Sequence, residues 1–421
     1  MAEASEKLVE SQEALKIMAN DDFKSDLATF LRSMYPLLYV KTNEERRYMQ
    51  FMEHFCKVHG YECFIWNCYE GLVNLQTREK TGNTDNVLNS PEGILEYIIT
   101  EANSLVNNPT AVENKKKNKI RGYIYILLDF HHFVQDVPEI ERRLRSLGNI
   151  ESIYATIITG PLYKTTPVLE NLIPAIEFPR PNREEIKNAL WQIVNATSKI
   201  LTNICDETKE IEEELINSTS GLSLGEAQTA FAKSLVRYKK WNIQSILQEK
   251  KQIIRKSGIL DFYDKVVPLE EVGGLKNLVN WIKDRKDCFS KEAEEYGLKK
   301  PRGLLTIGAS GCGKSLMCKA IASSWNMPLL KLDFGKLFGS HVGDSEKNAR
   351  EAIALAESVS PCILWIDEIE KAISGVRSSG QTDGGTTSRV LSTFLTWMQE
   401  KTAPVLLSLP LMTMKVFQLN S

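Results

Sequence analysis

The stretch Gly308–Ser315, GASGCGKS, fits the spacing G-x-x-x-x-G-K-[ST] and can do phosphate chemistry. Gly308, Gly311 and Gly313 free the backbone to turn its N–H groups inward around phosphate oxygens. Ala309, Ser310 and Cys312 complete the loop, and Leu316 lies in the first turn of a helix whose positive dipole end faces the anion. The Lys314 ammonium would reach the β- and γ-phosphates, and the Ser315 hydroxyl would ligate Mg²⁺. Further along, ILWIDE (Ile363–Glu368) is an apolar run ending on two carboxylates. Asp367 would hold Mg²⁺ through water, while Glu368 would orient or deprotonate the attacking water. A nucleoside polyphosphate with Mg²⁺ is therefore the expected ligand, with Lys314 and Glu368 as the expected catalytic pair. Kinases and GTPases share the glycine-rich loop, so the loop alone leaves the reaction class open.

These groups need strands and helices to hold them. LLTI (Leu304–Ile307) predicts a strand running into the loop, and a helix is expected over Leu316–Ser323. The same α/β rhythm occupies the first half of the chain, where LLYVKT, CFIWN, YIYILLDF and TIITG are strand candidates separated by amphipathic stretches. Such alternation implies a parallel sheet. After FPRPNREEI the pattern turns helical, with Ser223 preceding an apolar helix and Gly221 suited to a turn. From about Gln248 to Leu269 a charged stretch connects to the second α/β unit. The expected domains are a helical extension over 1–29, an α/β domain over 30–179, a helical lid-like domain over 180–250, and a second α/β domain over 251–421.

Composition bounds the partners. With 52 basic and 54 acidic side chains the formal net charge is −2, so no global field draws in nucleic acid or an anionic membrane. The Lys115–Lys117 cluster is short and lacks interleaved aromatics, which favours a solvated loop over a recognition patch. No apolar run reaches about 18 residues, so no membrane span is expected. The eight cysteines show no paired C-x-x-C spacing and fit reduced thiols in a cytosol-like compartment. The first residues carry neither a secretory leader nor a transit-peptide composition.

Between the two phosphate-handling elements stands HVGDSEKNAREAIALA (His341–Ala356), which closely resembles the VGESEKN-R-x-x-x-x-A signature of the AAA ATPases. EEVGGL (Glu270–Leu275), DEIEKA (Asp367–Ala372) and SRVLSTFLTWM (Ser388–Met398) fall where that family has its adenine-side loop, its hydrolytic strand end and the following helix. The resemblance covers about residues 258–402. More narrowly, the chain looks like the uncharacterised AAA proteins encoded by plastid genomes and cyanobacteria. It implies a three-layer P-loop fold, adenine contacts from Val272 and Gly273, homo-oligomeric rings, and use of ATP to remodel a protein substrate, in the cytoplasm or a plastid stroma. A nucleotide-binding regulator that pairs with an intact relative is the competing class. The substrate-gripping aromatic of the family is replaced by His341, with Ser340 before it, which speaks against threading through a central pore.

On the same resemblance the first half reads as a worn copy of the AAA plan, the alternative being an unrelated α/β domain. YIYILLDFHHF is placed like a hydrolytic strand, but Phe130 follows Asp129 where a glutamate would stand, and no G-x-x-x-x-G-K follows LLYVKT. FPRPNREEI and GLSLGEAQTAF resemble a helical lid. His131 and His132 beside Asp129, and the group Cys56, His59, Cys63 and Cys68, lack the pair-and-pair spacing of structural zinc, so solvated histidines and core cysteines are expected.

At the other end, VLLSL (Val405–Leu409) is apolar enough for the central strand between the loop strand and ILWIDE, but Ser408, Leu409 and Pro410 stand where the family has a polar sensor ending. Arginine fingers, the last strand and the second lid are not found, and Arg377 and Arg389 do not match finger positions. Slow hydrolysis by homo-oligomers follows, since such a finger is worth on the order of 10³ to 10⁵ in rate. A one-base shift just after Pro404 can restore a sensor-like ending, so a truncation or frameshift is the expectation there.

Overall fold

A computed structural model describes residues 2–81, 86–107, 120–134, 137–150, 154–161, 163, 165–256, 258–263, 267–289, 293, 296–309, 311–325, 327–337, 344–367, 369, 384–401 and 403–412. Ser310, Ser340, His341, Glu368, Arg377 and the Lys115–Lys117 cluster lie outside them. The chain divides into two compact units, one made of Met1–Ala189 with Ser223–Gly225, the other of Leu190–Leu222 with Glu226–Ser421.

The first unit has a six-stranded sheet built from β1 (Leu37–Lys41), β2 (Tyr61–Asn67), β3 (Gly71–Asn74), β4 (Gly122–Leu128), β5 (Tyr154–Gly160) and β6 (Ala175–Glu177). Their spatial order is β3-β2-β4-β5-β1-β6, and every pair is parallel except β2 with β3. Alternate side chains of one strand go to opposite faces, and here both faces are covered. Leu38, Val40, Ile124 and Ile126 join a core with Phe23, Leu27, Tyr48 and Phe51 from the helices Asp21–Arg32 and Glu45–His59. Leu37, Tyr39, Tyr125 and Leu127 join the opposite core with Ile94, Ile98, Ile140 and Leu144 from the helices Pro91–Asn107 and Pro138–Gly148. The result is three layers, and Leu15, Ala19, Phe23 and Leu27 of the N-terminal helical segment join the first of these cores.

Two caps show how the sequence sets helix ends. Gly60 closes Glu45–His59 at φ 75°, the left-handed conformation that glycine adopts without penalty. Asn182 and Glu185 form a reciprocal capping box at the start of Arg183–Thr197: the Asn182 amide oxygen accepts from Glu185 N–H, and the Glu185 carboxylate accepts from Asn182 N–H, both at 3.0 Å. Glu185 also pairs with buried Arg47 at 3.7 Å, whose guanidinium lies 4.3 Å from the Phe178 ring centre. Gly221 has φ 82° at the turn before the helix Leu224–Tyr238, as the sequence predicts.

The second unit's sheet contains β7 (Leu260–Tyr263), β8 (Gly303–Gly308), β9 (Leu329–Asp333), β10 (Cys362–Asp367) and β11 (Val405–Met412), in the order β7-β9-β10-β11-β8. Only β7 pairs antiparallel. β11 lies between β10 and β8, the central place expected for VLLSL, and it runs on through Pro410 to Met412. Leu330, Leu364 and Leu407 point into one core with the helices Asp344–Ser358 and Gly384–Glu400. Leu329, Ile363 and Leu406 point into the other, with Met317, Cys318 and Ile321 of the helix Lys314–Ser324. Leu305 and Ile307 of β8 are exposed, and β8 is an edge strand among the described residues.

The stretch read as a charged connection carries, in its described residues, most of the helix Ile243–Lys256 and all of β7. It also buries a charge, since Lys250 is 4 % exposed. Burial pushes its ammonium down from the ordinary 10.5 to about 8, with the Cys362 thiol pushing partly back. The unfolded chain therefore binds this proton between pH 8 and 10.5 while the folded chain does not, so this group makes stability rise with pH across that window. Below about pH 8 the burial cost stands in full. Lys250→Met is expected to raise unfolding free energy at pH 7 by about 1 to 3 kcal/mol. It should also flatten the rise between pH 7.5 and 10, read as wild-type minus variant in urea titrations.

Candidate functional site

The phosphate loop leaves β8 at Gly308 and enters the helix Lys314–Ser324, the strand–loop–helix arrangement that the sequence predicts. Gly311 and Gly313 have φ of 77° and 88°, and a Cβ on either would meet open space, so the backbone conformation is what calls for glycine there. At Gly308 a Cβ would sit 2.7 Å from the Sγ of exposed Cys312, which would have to swing aside. The described part of the loop is curled, with the Cys312 N–H donating to the Ala309 carbonyl at 3.5 Å.

Lys314 Nζ folds over this curl and donates to the carbonyls of Gly308 at 2.8 Å and Ala309 at 2.6 Å. An ammonium held above a glycine-rich turn at a helix N-terminus is a fit for a polyphosphate, which would exchange these carbonyls for charged oxygens. Ser315 is half-buried in the first turn, and Leu316 is exposed beside it. Val272 packs in the same apolar cluster as Met317, Cys318 and Ile321, which places the expected adenine-side loop against the phosphate-loop helix. Gly273 is exposed next to it.

Asp367 ends β10, separated from β8 by β11 alone. Its strand is a continuous buried run, Cys362–Ile366, which fixes the half-exposed carboxylate at the carboxyl edge of the sheet. Sequence reasoning missed its partner. Lys331 Nζ on β9 lies 2.8 Å from the Asp367 carboxylate and 4.9 Å from the Trp365 ring centre. The Asp367 contact holds the Lys331 ammonium above its ordinary range. The only trace of Lys331 in the sequence is a cation inside the apolar strand LLKLD, and the β9–β10 register supplies the contact. The donor set of Ser315 and Asp367 is hard oxygen, which suits Mg²⁺, with Lys331 as a cation already on the carboxylate. Beneath the helix, Cys318 Sγ and Ser408 Oγ are 3.0 Å apart, and burial pushes the Cys318 thiol up to about 11. Ser408 is fully buried, so it is a core contact of β11. Ser310 and Glu368 lie outside the described residues.

In the first unit Asp129 follows β4 with φ 54°, and His131 and His132 begin the short helix His131–Val134. The expectation of solvated histidines holds for His132 alone; His131 is 2 % exposed, its ring lodged against Gly160 at the end of β5. Cys56 and Cys63 are core thiols, as expected, whereas Cys68 is exposed just beyond β2 and does not join the core. Among the described residues no helix is long and apolar enough to cross a membrane.

Comparison with known proteins agrees with this geometry. Residues 304–417 match the family profile of the "ATPase family associated with various cellular activities (AAA)". Residues 23–178 match the N-terminal domain, and 184–257 the second domain, of the SpoVK-like AAA ATPases. The chain is 36 % identical over 389 residues to the "Uncharacterized AAA domain-containing protein ycf46" of Guillardia theta, covering 91 % of this chain and 71 % of that protein. It is 35 % identical over 391 residues to the protein of the same name in Pyropia yezoensis, at 91 % and 73 % coverage. The peroxisomal ATPase PEX6 of Arabidopsis thaliana is 28 % identical over 209 residues, 47 % of this chain and 20 % of that one. With a glycine-curled phosphate loop, an acid-ended strand two places away in the sheet, and relatives matched over nine-tenths of its length, the chain belongs to the AAA ATPase family.

Proposed function

We propose that the chain binds MgATP at the loop Gly308–Leu316 and hydrolyses it to remodel a protein partner within a homo-oligomer, in the cytoplasm or a plastid stroma. The observation that carries this reading is the poise of Lys314 over the curled loop, with Asp367 at the same edge of the sheet. Lys314 would bind and orient the β- and γ-phosphates, Val272 and Gly273 would bound the adenine, and Ser315 with Asp367 would hold the metal. Bound Mg²⁺ would neutralise charge developing on the phosphate oxygens. Glu368, next after Asp367, would take up the proton of the attacking water. The first unit would be a worn copy that does not bind ATP in this manner. Supporting that is a shared strand order: in each sheet the first parallel strand of the plan lies beside the fourth, as β2-β4-β5-β1 and as β9-β10-β11-β8.

The ion pair of Lys331 with Asp367 favours a second reading, in which nucleotide is held without turnover because a side-chain cation competes for the metal's carboxylate. Single-turnover hydrolysis separates the two. On the enzyme reading wild type turns over and Glu368→Gln slows it by about 10²- to 10⁴-fold while leaving ATP affinity intact. A wild-type rate no higher than that of the variant would leave only the binding reading.

A further inference from the structure

Asp129, His131 and His132 gather at the carboxyl edge of the first unit's sheet, where β4 ends. Each offers one ligand atom, and these atoms all lie within 4.8 Å of one another. Two imidazole nitrogens and one carboxylate oxygen are a donor set for a first-row divalent transition metal, with positions left open for water. The spacing is D-x-H-H, which has none of the C-x-x-C pairing by which structural zinc is read from sequence, so only the fold brings the set into view.

The surrounding chain holds this set in place. Asp129 sits at φ 54°, a left-handed conformation uncommon outside glycine, which aspartate tolerates better than most residues. His131 is buried, and a Cβ on Gly160 would fall 2.4 Å from its Nδ1 and 2.9 Å from its Cε1. Gly160 is therefore the space into which the imidazole fits, and the Tyr39 hydroxyl borders the same space at 2.7 Å from that Cβ position. His132 is exposed with its ring centre 4.1 Å from that of His131, and Asp129 is exposed as well. One ligand is thus fixed by packing and two face solvent, an arrangement with an open entry path. Ligand atoms at about 2.0 to 2.2 Å from one ion lie roughly 3 to 3.5 Å apart, so the set would draw in from its spread of up to 4.8 Å on taking up an ion. Glu45, whose carboxylate is near enough to Asp129 to feel its charge, adds negative potential.

We propose that Asp129, His131 and His132 form a binding site for a first-row divalent transition metal ion in the first unit. Its imidazoles select a softer ion than the all-oxygen set of Ser315 and Asp367, so the two sites divide metals by ligand chemistry. This inference does not depend on ATP turnover.

The test uses the full chain, stripped with chelator and titrated with Co²⁺ in the absence of nucleotide. One equivalent is expected to bind, with the visible bands of nitrogen and oxygen coordination and without the near-ultraviolet thiolate band that cysteine ligation would give. Asp129→Asn keeps a residue that accepts the left-handed turn, and His132→Ala removes an exposed ring, so both variants should melt like wild type. Each should weaken Co²⁺ binding by on the order of 100-fold, at or beyond the ~10- to 100-fold typical of losing an outer-shell partner. Gly160→Ala, which displaces His131, should weaken it too. Absence of stoichiometric binding, a thiolate band, or binding unchanged in both Asp129→Asn and His132→Ala would overturn the proposal.

Discussion

Lys314→Ala lowers affinity for MgATP by on the order of 100-fold, with the fold intact. The argument starts from the ammonium's position. In the structure it donates to two loop carbonyls, at 2.8 and 2.6 Å, above a turn formed by Gly311 and Gly313. When phosphate oxygens replace those carbonyls, each hydrogen bond becomes charge-assisted on both sides and contributes about 1.5 to 3 kcal/mol. Losing roughly 2.7 kcal/mol is a hundredfold in affinity. Stability should hardly change, because Lys314 is only half-buried and the loop conformation rests on its glycines. Isothermal titration of both proteins, with circular dichroism to verify folding, reads the effect directly.

Trp66→Ala costs about 3 to 5 kcal/mol of stability, the range for truncating a fully buried large aromatic. Trp66 is 0 % exposed on β2 and is among the largest side chains of the first unit's core. Its ring meets Phe130 edge-on at 5.5 Å and Phe133 at 6.3 Å, and its indole N–H donates to the Leu88 carbonyl at 2.6 Å. Truncation removes the apolar contacts and strands a carbonyl, two losses that add. Urea unfolding followed by circular dichroism should show the early transition of a weakened unit; a shift below about 1 kcal/mol would mean the ring is not packed as described.

What the sequence made legible follows from which signals are local. β10 was legible because five buried residues in a row, Cys362–Ile366, end on an acid, and a parallel strand covered on both faces reads as such a run. β9 was not, since Lys331 and Asp333 dilute its apolar pattern; its strand character comes from pairing with β10 and β7. β6 has three residues and β3 four, too few for any period to emerge. β7 and Lys250 were hidden in a charged stretch because nothing in QEKKQIIRK marks which lysine faces inward.

The site divides in the same manner. Lys314, Ser315 and Asp367 are candidates from the sequence because phosphate chemistry calls for their types and the loop for the spacing of the first two, and their roles stand as proposed. The place of β11 between β10 and β8 followed from the family resemblance, and the sheet has it there. Lys331 reaches Asp367 through strand register, and the buried His131 ring fits against Gly160 at the end of β5. Neither contact has a sequence spacing to announce it.

The central claim is that one ATP-binding loop, that of the second unit, is functional in this chain. Equilibrium titration of the full chain with MgATP tests it most directly, with Lys314→Ala as the blank. The account predicts one equivalent bound per chain and its loss in the variant over the same concentration range. Two equivalents, or one that survives Lys314→Ala, would contradict it.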